Sequence, residues 1–294
     1  PLFIVRISKF WFLMQDFCVR WEPVTSYYFK VTNGVRQGGI ISPRLFNVYM
    51  DDLSQELRDA GVGCNIGNHF INHLCYADDM VLLSPSLKGL RKLVATCEQY
   101  ASEHDIVYNT RKTVCMLFKP SRLNFDINPI LKMCGEELKF VQQFSYLGHV
   151  IVPNLSDDLD ISRQYRSLCA RANMLKRQFY ACSQEVKTRL FQAYCTSLYT
   201  SQLWTEYTNS SLSKFTVCYN NAFRCIVGYP RSCSASGMFV SNRTGSFGEL
   251  RRKLIYSFFQ RVLKSTNELV RQIVRCDTRW LSPLWSLWSR LIHL

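Results

Sequence analysis

The chain has 294 residues, 47% of them hydrophobic and 14% aromatic, which suits one large or two modest folded domains and excludes a compositionally disordered chain. A formal charge of +14 favours a polyanionic partner, nucleic acid before acidic membrane, with plain solubilising charge as the alternative. The 13 cysteines contain no Cys-x-x-Cys pair, so they read as reduced, mostly buried thiols of an intracellular protein, and no apolar run reaches the roughly 18 residues of a membrane span.

Apolar and aromatic spacing predicts a helix over residues 4–17, and the β-branched and aromatic run 24–32 predicts a strand broken by Asn33-Gly34. A turn at Gln37-Gly38-Gly39 leads into Ser42 as cap and Pro43 at the first position of a helix. Leu45, Tyr49, Leu53 and Leu57 mark its apolar face, and it ends near Gly61. Strands follow over 62–66 and 69–77, joined at Gly67-Asn68, and another runs from Met80 to Leu83. Ser86 caps a second helix bearing Leu87, Leu90, Val94, Cys97 and Ala101 on one face. Ile106–Tyr108 and Val114–Phe118 read as strands around a polar turn that holds Lys112. Residues 120–137 read as a loop or hairpin, and Phe140 to Val152 is again strand-like. Beyond Pro153 the periodicity turns helical, over 158–180, 184–205, 212–227 and 247–275, with a linker at 229–246. A domain boundary is expected at 153–156.

Three Asp-Asp pairs are candidate acid sites. Asp51-Asp52 fits ordinary helix surface, and Asp157-Asp158 fits the positive end of a helix dipole. Asp78-Asp79 lies between two apolar runs, Leu74 to Ala77 and Met80 to Leu83. A two-residue hairpin loop prefers Asn-Gly or Asp-Gly, and adjacent carboxylates repel each other. A divalent cation relieves that repulsion, and hard oxygen ligands suit Mg²⁺ carrying phosphates, with a solvated turn as the ordinary alternative. His69 and His73 fall in a strand and read as structural, and the Asn-x-Ser/Thr triplets at Asn154, Asn209 and Asn242 carry little meaning without a secretory context.

The segment Gly34-Val35-Arg36-Gln37-Gly38-Gly39-Ile40-Ile41-Ser42-Pro43, followed by Leu45-Phe46-Asn47-Val48-Tyr49, resembles motif B of reverse transcriptases. Tyr76-Ala77-Asp78-Asp79 resembles motif C, Asn109 to Thr113 motif D, and Tyr146-Leu147-Gly148 motif E, the primer grip. The four fall in the family's order and spacing, and the Val-Arg-Gln-Gly form is similar to the non-LTR (LINE-type) retrotransposon enzymes. The likeness is strong to residue 150 and looser beyond, where Leu198-Tyr199, Leu203-Trp204 and Tyr219 to Arg224 resemble the helical region after the palm.

The resemblance implies an α+β fold: a partial right-hand polymerase palm, with an antiparallel sheet and helices, over 1–153, then an all-helical thumb-like region over 154–294. It implies Mg²⁺, or Mn²⁺, on Asp78 and Asp79, with Tyr76 and Ala77 beside them. Arg36, Gln37 and Gly38 would lie against the templating base and incoming nucleotide. Lys112 would face the triphosphate, with a solvated turn lysine as the alternative, and Tyr146, Leu147 and Gly148 would meet the primer end. The implied partners are an RNA template, a DNA primer, deoxynucleoside triphosphates and the rest of a retrotransposon polyprotein, with no membrane, in cytoplasm or nucleus. Asp105 stands where LINE-type sequences often carry Gly, a mild departure because Asp tolerates a left-handed helix cap. Seven Lys and Arg against one acidic residue between Arg163 and Arg189, and eight against two between Arg243 and Arg275, suit helices that track a duplex backbone.

The first-strand aspartate of motif A, and the fingers, are expected upstream of Pro1, with Asp16 on the helix and off the metal-binding strand. The implied reaction is therefore RNA-templated DNA synthesis by the family, with this chain inactive by itself. The competing reading is a degenerate retroelement remnant that at most binds nucleic acid. A scaffold with a reverse-transcriptase-like fold is a third, which the retained Asp78-Asp79 disfavours. No endonuclease or zinc knuckle is visible in the sequence.

Overall fold

A computed structural model describes residues 2–31, 34–118, 129–276 and 283–292. Asn33 and most of the expected strand-breaking and loop residues at 32–33 and 119–128 lie outside them. Helix α1 (Leu2–Leu13) buries no side chain and stops short of the expected residue 17. Asp16 and Phe17 instead form β1 (Asp16–Phe17), paired antiparallel with β4 (Phe29–Lys30). Asp16 is thus on a strand and not on the helix. Inside that ladder, β2 (Arg20–Trp21) pairs with β3 (Val24–Thr25). The expected 24–32 strand is cut in two at Ser26, whose exposed side chain folds back on β2's neighbour Val19, its Oγ accepting the Val19 N–H at 2.9 Å.

Helix α2 (Ser42–Asp59) packs Leu53 and Leu57 against Leu93, Val94, Cys97 and Tyr100 of α3 (Leu87–Glu103). Ser86 caps α3 as expected, accepting the Gly89 N–H at 3.1 Å. Asp105, just past α3, is left-handed at φ 52°. Leu45 and Tyr49 of α2 remain exposed, so the buried face is only the second half of the predicted stripe. Ser42 does not cap α2: Ile41 holds the cap position, and the Ser42 hydroxyl donates back to the Arg36 carbonyl at 2.6 Å.

Between the helices run β5 (Cys64–Ile66), β6 (His69–Ile71), β7 (His73–Tyr76) and β8 (Asp79–Leu82). β5 pairs with β6 across Gly67, and β7 pairs with β8. Asn72, only 1% exposed, joins the two hairpins to α2. Its amide donates to Leu57 O, one of the helix-end carbonyls that lack an intrahelical donor, and to Val62 O at 3.0 Å. Its own carbonyl accepts the Leu83 N–H at 2.8 Å.

Further on, β9 (Val114–Cys115) pairs in parallel with β12 (Lys139–Phe140), and β10 (Lys132–Met133) pairs with β11 (Glu136–Glu137). β13 (Phe144–Tyr146) pairs with β14 (His149–Ile151). Residues 106–108 form no strand, and 114–118 pairs over only two residues. The expected antiparallel palm sheet is therefore not continuous among the described residues: they form seven two-stranded ladders, one of them parallel. Most ladders are closed by a local turn with left-handed residues, such as Gly67, Ala77, Cys134-Gly135 and Leu147-Gly148, so each pairs with its own neighbour in sequence.

The remainder is helical: α4 (Asp158–Gln178), α5 (Gln184–Cys195), a 3-10 turn at Ser201–Leu203, α6 (Asn209–Val227), α7 (Ala235–Ser241), α8 (Phe247–Leu263), α9 (Glu268–Arg275) and α10 (Pro283–Ile292). Leu168 and Leu175 of α4, Phe191 of α5 and Phe215, Tyr219 and Phe223 of α6 make its core, separate from the cluster around Leu53 and Leu93. The predicted 184–205 helix ends at Cys195, and the 229–246 linker contains α7. The predicted 247–275 helix is two, because Asn267 caps a new start by accepting the Val270 N–H at 3.2 Å. Replacing Asn72 by Ala should leave buried carbonyls unpaired and lower stability by about 1–3 kcal/mol in urea unfolding. An unchanged midpoint would show that the hairpins are not held to α2 through this side chain.

Candidate active site

The β7–β8 register sets Tyr76 opposite Asp79, so Ala77 and Asp78 are the two loop residues. Ala77 takes φ 53°, the left-handed region where a side chain costs roughly 1–3 kcal/mol. The base of the hairpin is anchored, with Met80 and Leu82 against the α2–α3 core. The tip is in water: Tyr76, Asp78 and Asp79 are all exposed. Neither carboxylate has a hydrogen-bond or ion-pair partner among the described residues. Two adjacent, unpaired carboxylates on a strained, well-anchored turn fit a hard divalent cation as donor set and charge. They supply two ligands and no more, since no cluster of three or more His, Cys, Asp or Glu suited to a metal occurs among the described residues.

Tyr146 stands close enough to feel this tip. Burial raises the pKa of its hydroxyl, and the Asp79 carboxylate and Cys75 raise it further. The 144–151 hairpin thus lies within electrostatic reach of the 76–79 tip. Tyr146 pairs with His149 across the Leu147-Gly148 turn, whose φ values of 46° and 78° are both left-handed. A Cβ on Gly148 would lie 2.9 Å from the Tyr199 ring, so glycine serves both the turn and that close approach.

Arg36, Gln37 and Gly38 form an exposed tight turn, the Gly39 N–H donating to Arg36 O at 3.1 Å. Gly38 is left-handed at φ 82°, the third turn position that type II geometry reserves for glycine. A Cβ on Gly39 would lie 2.5 Å from the Ser42 Oγ, so the loop is folded tightly onto the start of α2. Lys112 is exposed in a turn in which its N–H donates to Asn109 O at 3.0 Å. No hydrogen bond or ion pair among the described residues links Gln37 or Lys112 to Asp78 or Asp79.

The polar centre that sequence reasoning missed is Asp160. It lies in the first turn of α4, 0% exposed. It accepts from Trp204 Nε1 at 2.7 Å, Arg163 Nε at 2.8 Å, Thr200 Oγ1 at 3.0 Å and the Val150 N–H at 3.1 Å. His149 Nδ1 approaches it at 3.3 Å, and His149 Nε2 lies 3.4 Å from Asp157. Burial alone would raise the Asp160 pKa, but the adjacent His149 ring and the donors from Trp204, Arg163 and Val150 outweigh it and hold the carboxyl well below the usual range. Asp157 and Asp160 in turn raise His149 to about 9 against the cost of its burial. Asp157 and Asp158 do more than face a helix dipole. Asp157 accepts the Thr205 and Glu206 N–H groups at 2.7 and 2.9 Å, and Asp158 the Thr208 N–H at 2.9 Å. An acidic residue after a strand-turn pair was the available signal, but its partners lie some 40 to 50 residues away, as the Thr200 and Thr205 bonds show.

Part of the basic surplus is internal for the same reason. Arg163 serves Asp160, Arg171 binds Tyr194 O at 2.8 Å, and Arg251 binds Trp204 O at 3.0 Å while stacking on Tyr207. Arg166, Lys176, Arg177, Arg189, Arg252 and Lys253 remain exposed for an external partner.

A family profile described as reverse transcriptase (RNA-dependent DNA polymerase) matches residues 3–151. The chain is 29% identical over 130 residues, 42% of its length, to a retrovirus-related Pol polyprotein from the type-1 retrotransposable element R2 of Nasonia vitripennis. It is 31% identical over 130 residues, 40% of its length, to the corresponding R2 polyprotein of Popillia japonica. It is 20% identical over 294 residues, 96% of its length, to the RNA-directed DNA polymerase from mobile element jockey of Drosophila funebris. The matches span only 13%, 18% and 31% of those three relatives.

The raised pKa of His149 has a pH signature. The stabilisation is fully present below the unfolded value of 6.5 and is lost as pH rises through about 9. Thermal melting of the native chain should therefore fall relative to His149→Gln between those limits. Parallel melting curves for the two proteins would contradict the ion-paired assignment.

Proposed function

This chain belongs to the reverse transcriptase (RNA-dependent DNA polymerase) family, and we propose that it is the part of a non-LTR retrotransposon enzyme in which residues 1–153 contribute to the palm and 154–294 form a helical thumb-like region. The reaction is RNA-templated DNA synthesis: the primer 3′-hydroxyl attacks the α-phosphate of a deoxynucleoside triphosphate and pyrophosphate leaves. The observation that carries this reading is the pair of carboxylates, Asp78 and Asp79, without a partner among the described residues, on an anchored hairpin tip within electrostatic reach of Tyr146.

Asp78 and Asp79 would hold Mg²⁺, or Mn²⁺. When bound, such ions offset charge on the attacking and leaving oxygens of an in-line displacement. Further oxygen donors, such as substrate phosphates, would complete the coordination. The exposed turn at Arg36, Gln37 and Gly38 offers backbone and amide groups to the templating base and the incoming nucleotide, with no Cβ at Gly38 to hold them off. Lys112, exposed and without an ion-pair partner among the described residues, is available to neutralise the triphosphate and to protonate leaving pyrophosphate. The Tyr146-Leu147-Gly148 turn meets the primer end. Exposed arginines and lysines of α4, α5 and α8 supply duplex phosphate contacts without reading sequence. The chain acts inside the cell, in cytoplasm or nucleus, with the remainder of its polyprotein.

Two measurements test this reading. Binding of Mn²⁺ alone, followed by the electron paramagnetic resonance of the free ion, should weaken about tenfold or more in Asp78→Ala, in line with the loss of one anionic ligand of a sparse site. Equal Mn²⁺ affinity in the two proteins would remove the metal assignment. With RNA template, DNA primer, Mg²⁺ and deoxynucleoside triphosphates, the isolated chain should extend no primer, because the described residues gather only two acidic groups at the tip. Extension that disappears in Asp78→Ala would show instead that this chain carries a complete site.

A further inference from the structure

The β13–β14 hairpin has two strands of three residues each, and no third strand pairs with them among the described residues. A ladder that short does not fix its own orientation. Its orientation is set from α4. The Val150 N–H and the His149 ring both meet Asp160, and His149 also meets Asp157. The Tyr199 ring covers Gly148, while the Tyr199 carbonyl accepts the Gln164 amide of α4 at 2.6 Å. Tyr146, directly across the ladder from His149, lies within electrostatic reach of Asp79. The contacts of α4 thus fix the hairpin that carries Tyr146, through His149 and Val150, on the side of the Asp78-Asp79 tip.

Asp160 is an unlikely choice for stability alone. Burying an ion pair is commonly matched or bettered by apolar packing of the same volume, whereas a buried charge with many donors admits few arrangements. Donors to Asp160 come from β14, from α4 itself, from Thr200 and from Trp204, so these segments share one geometry.

We propose that Asp160 is a positioning residue for the primer terminus: through His149 and Val150 it holds the Tyr146-Leu147-Gly148 turn at the register that presents a primer 3′ end to Asp78 and Asp79. This rests on the reading of that turn as the primer contact. Asp160 itself touches no substrate. A displacement of about 1 Å at such a point is enough to cost on the order of a hundredfold in a positioned reaction.

The test uses the full chain bound to an RNA template and a DNA primer ending in photoreactive 4-thiothymidine. Crosslinked peptides are mapped by mass spectrometry. The native chain should crosslink within residues 144–149. Asp160→Asn should lower that yield about fivefold or more, in line with lost positioning, with duplex affinity and amide-exchange protection of α5 and α6 unchanged. A loss of fold alone would lower all three together. If Asp160→Asn loses the protection of α5 and α6, His149→Gln carries the test, because it leaves Arg163, Thr200 and Trp204 on Asp160. Native yield at 144–149 in a folded variant would overturn the positioning role and leave the primer-contact reading standing. Absence of any crosslink at 144–149 in the native chain would overturn both.

Discussion

A carboxylate with no exposed surface ties the two halves of this molecule together. Asp160 left water at considerable cost, and only a full set of donors offsets that cost. Those donors are a strand N–H, an arginine of its own helix, a threonine hydroxyl and an indole N–H. They come from β14, from α4 itself and from the turn that runs from Thr200 to Trp204, so the carboxylate cannot be satisfied unless the hairpin, α4 and that turn are all in place. Thr200 accepts a left-handed φ of 70° to reach it. Asp157 and Asp158 extend the same junction by collecting the backbone N–H groups of Thr205, Glu206 and Thr208.

The Asp78-Asp79 tip follows the opposite logic. Where Asp160 is buried and over-supplied with donors, Asp78 and Asp79 are exposed and have none among the described residues. The fold holds the hairpin from beneath, through Met80, Leu82 and the Asn72 bonds to α2, and leaves the charged end free. Such an arrangement keeps the carboxylates adjacent without neutralising them. Repulsion between them is then available to be relieved by a ligand of opposite charge.

Local signals were readable from sequence. Ser86 as a cap, the Gly67 turn, the exposed Asp51-Asp52 pair and the left-handed Asp105 all depend on neighbours within a few residues. The hairpin at 76–79 was readable because two apolar runs flank it. What sequence could not show depends on distant partners. The helix predicted to include Asp16 ends early because residues 16–17 find residues 29–30. Ser42 looked like a cap and instead closes the Arg36 turn. Asp160 and His149 carried no sequence signal; their meeting depends on the docking of α4 on the hairpin. Several arginines that read as phosphate ligands are likewise spent on internal carbonyls, which charge counting does not reveal.

We propose that Asp78 and Asp79 hold divalent metal at the end of a primer positioned by the Tyr146 hairpin. Crystals of the chain with an RNA–DNA duplex and Mn²⁺ would test it by anomalous scattering. An anomalous peak is expected in contact with the Asp78 and Asp79 carboxylates, with the primer 3′ terminus against residues 146–148. A peak elsewhere, or a duplex bound away from this tip, would contradict it.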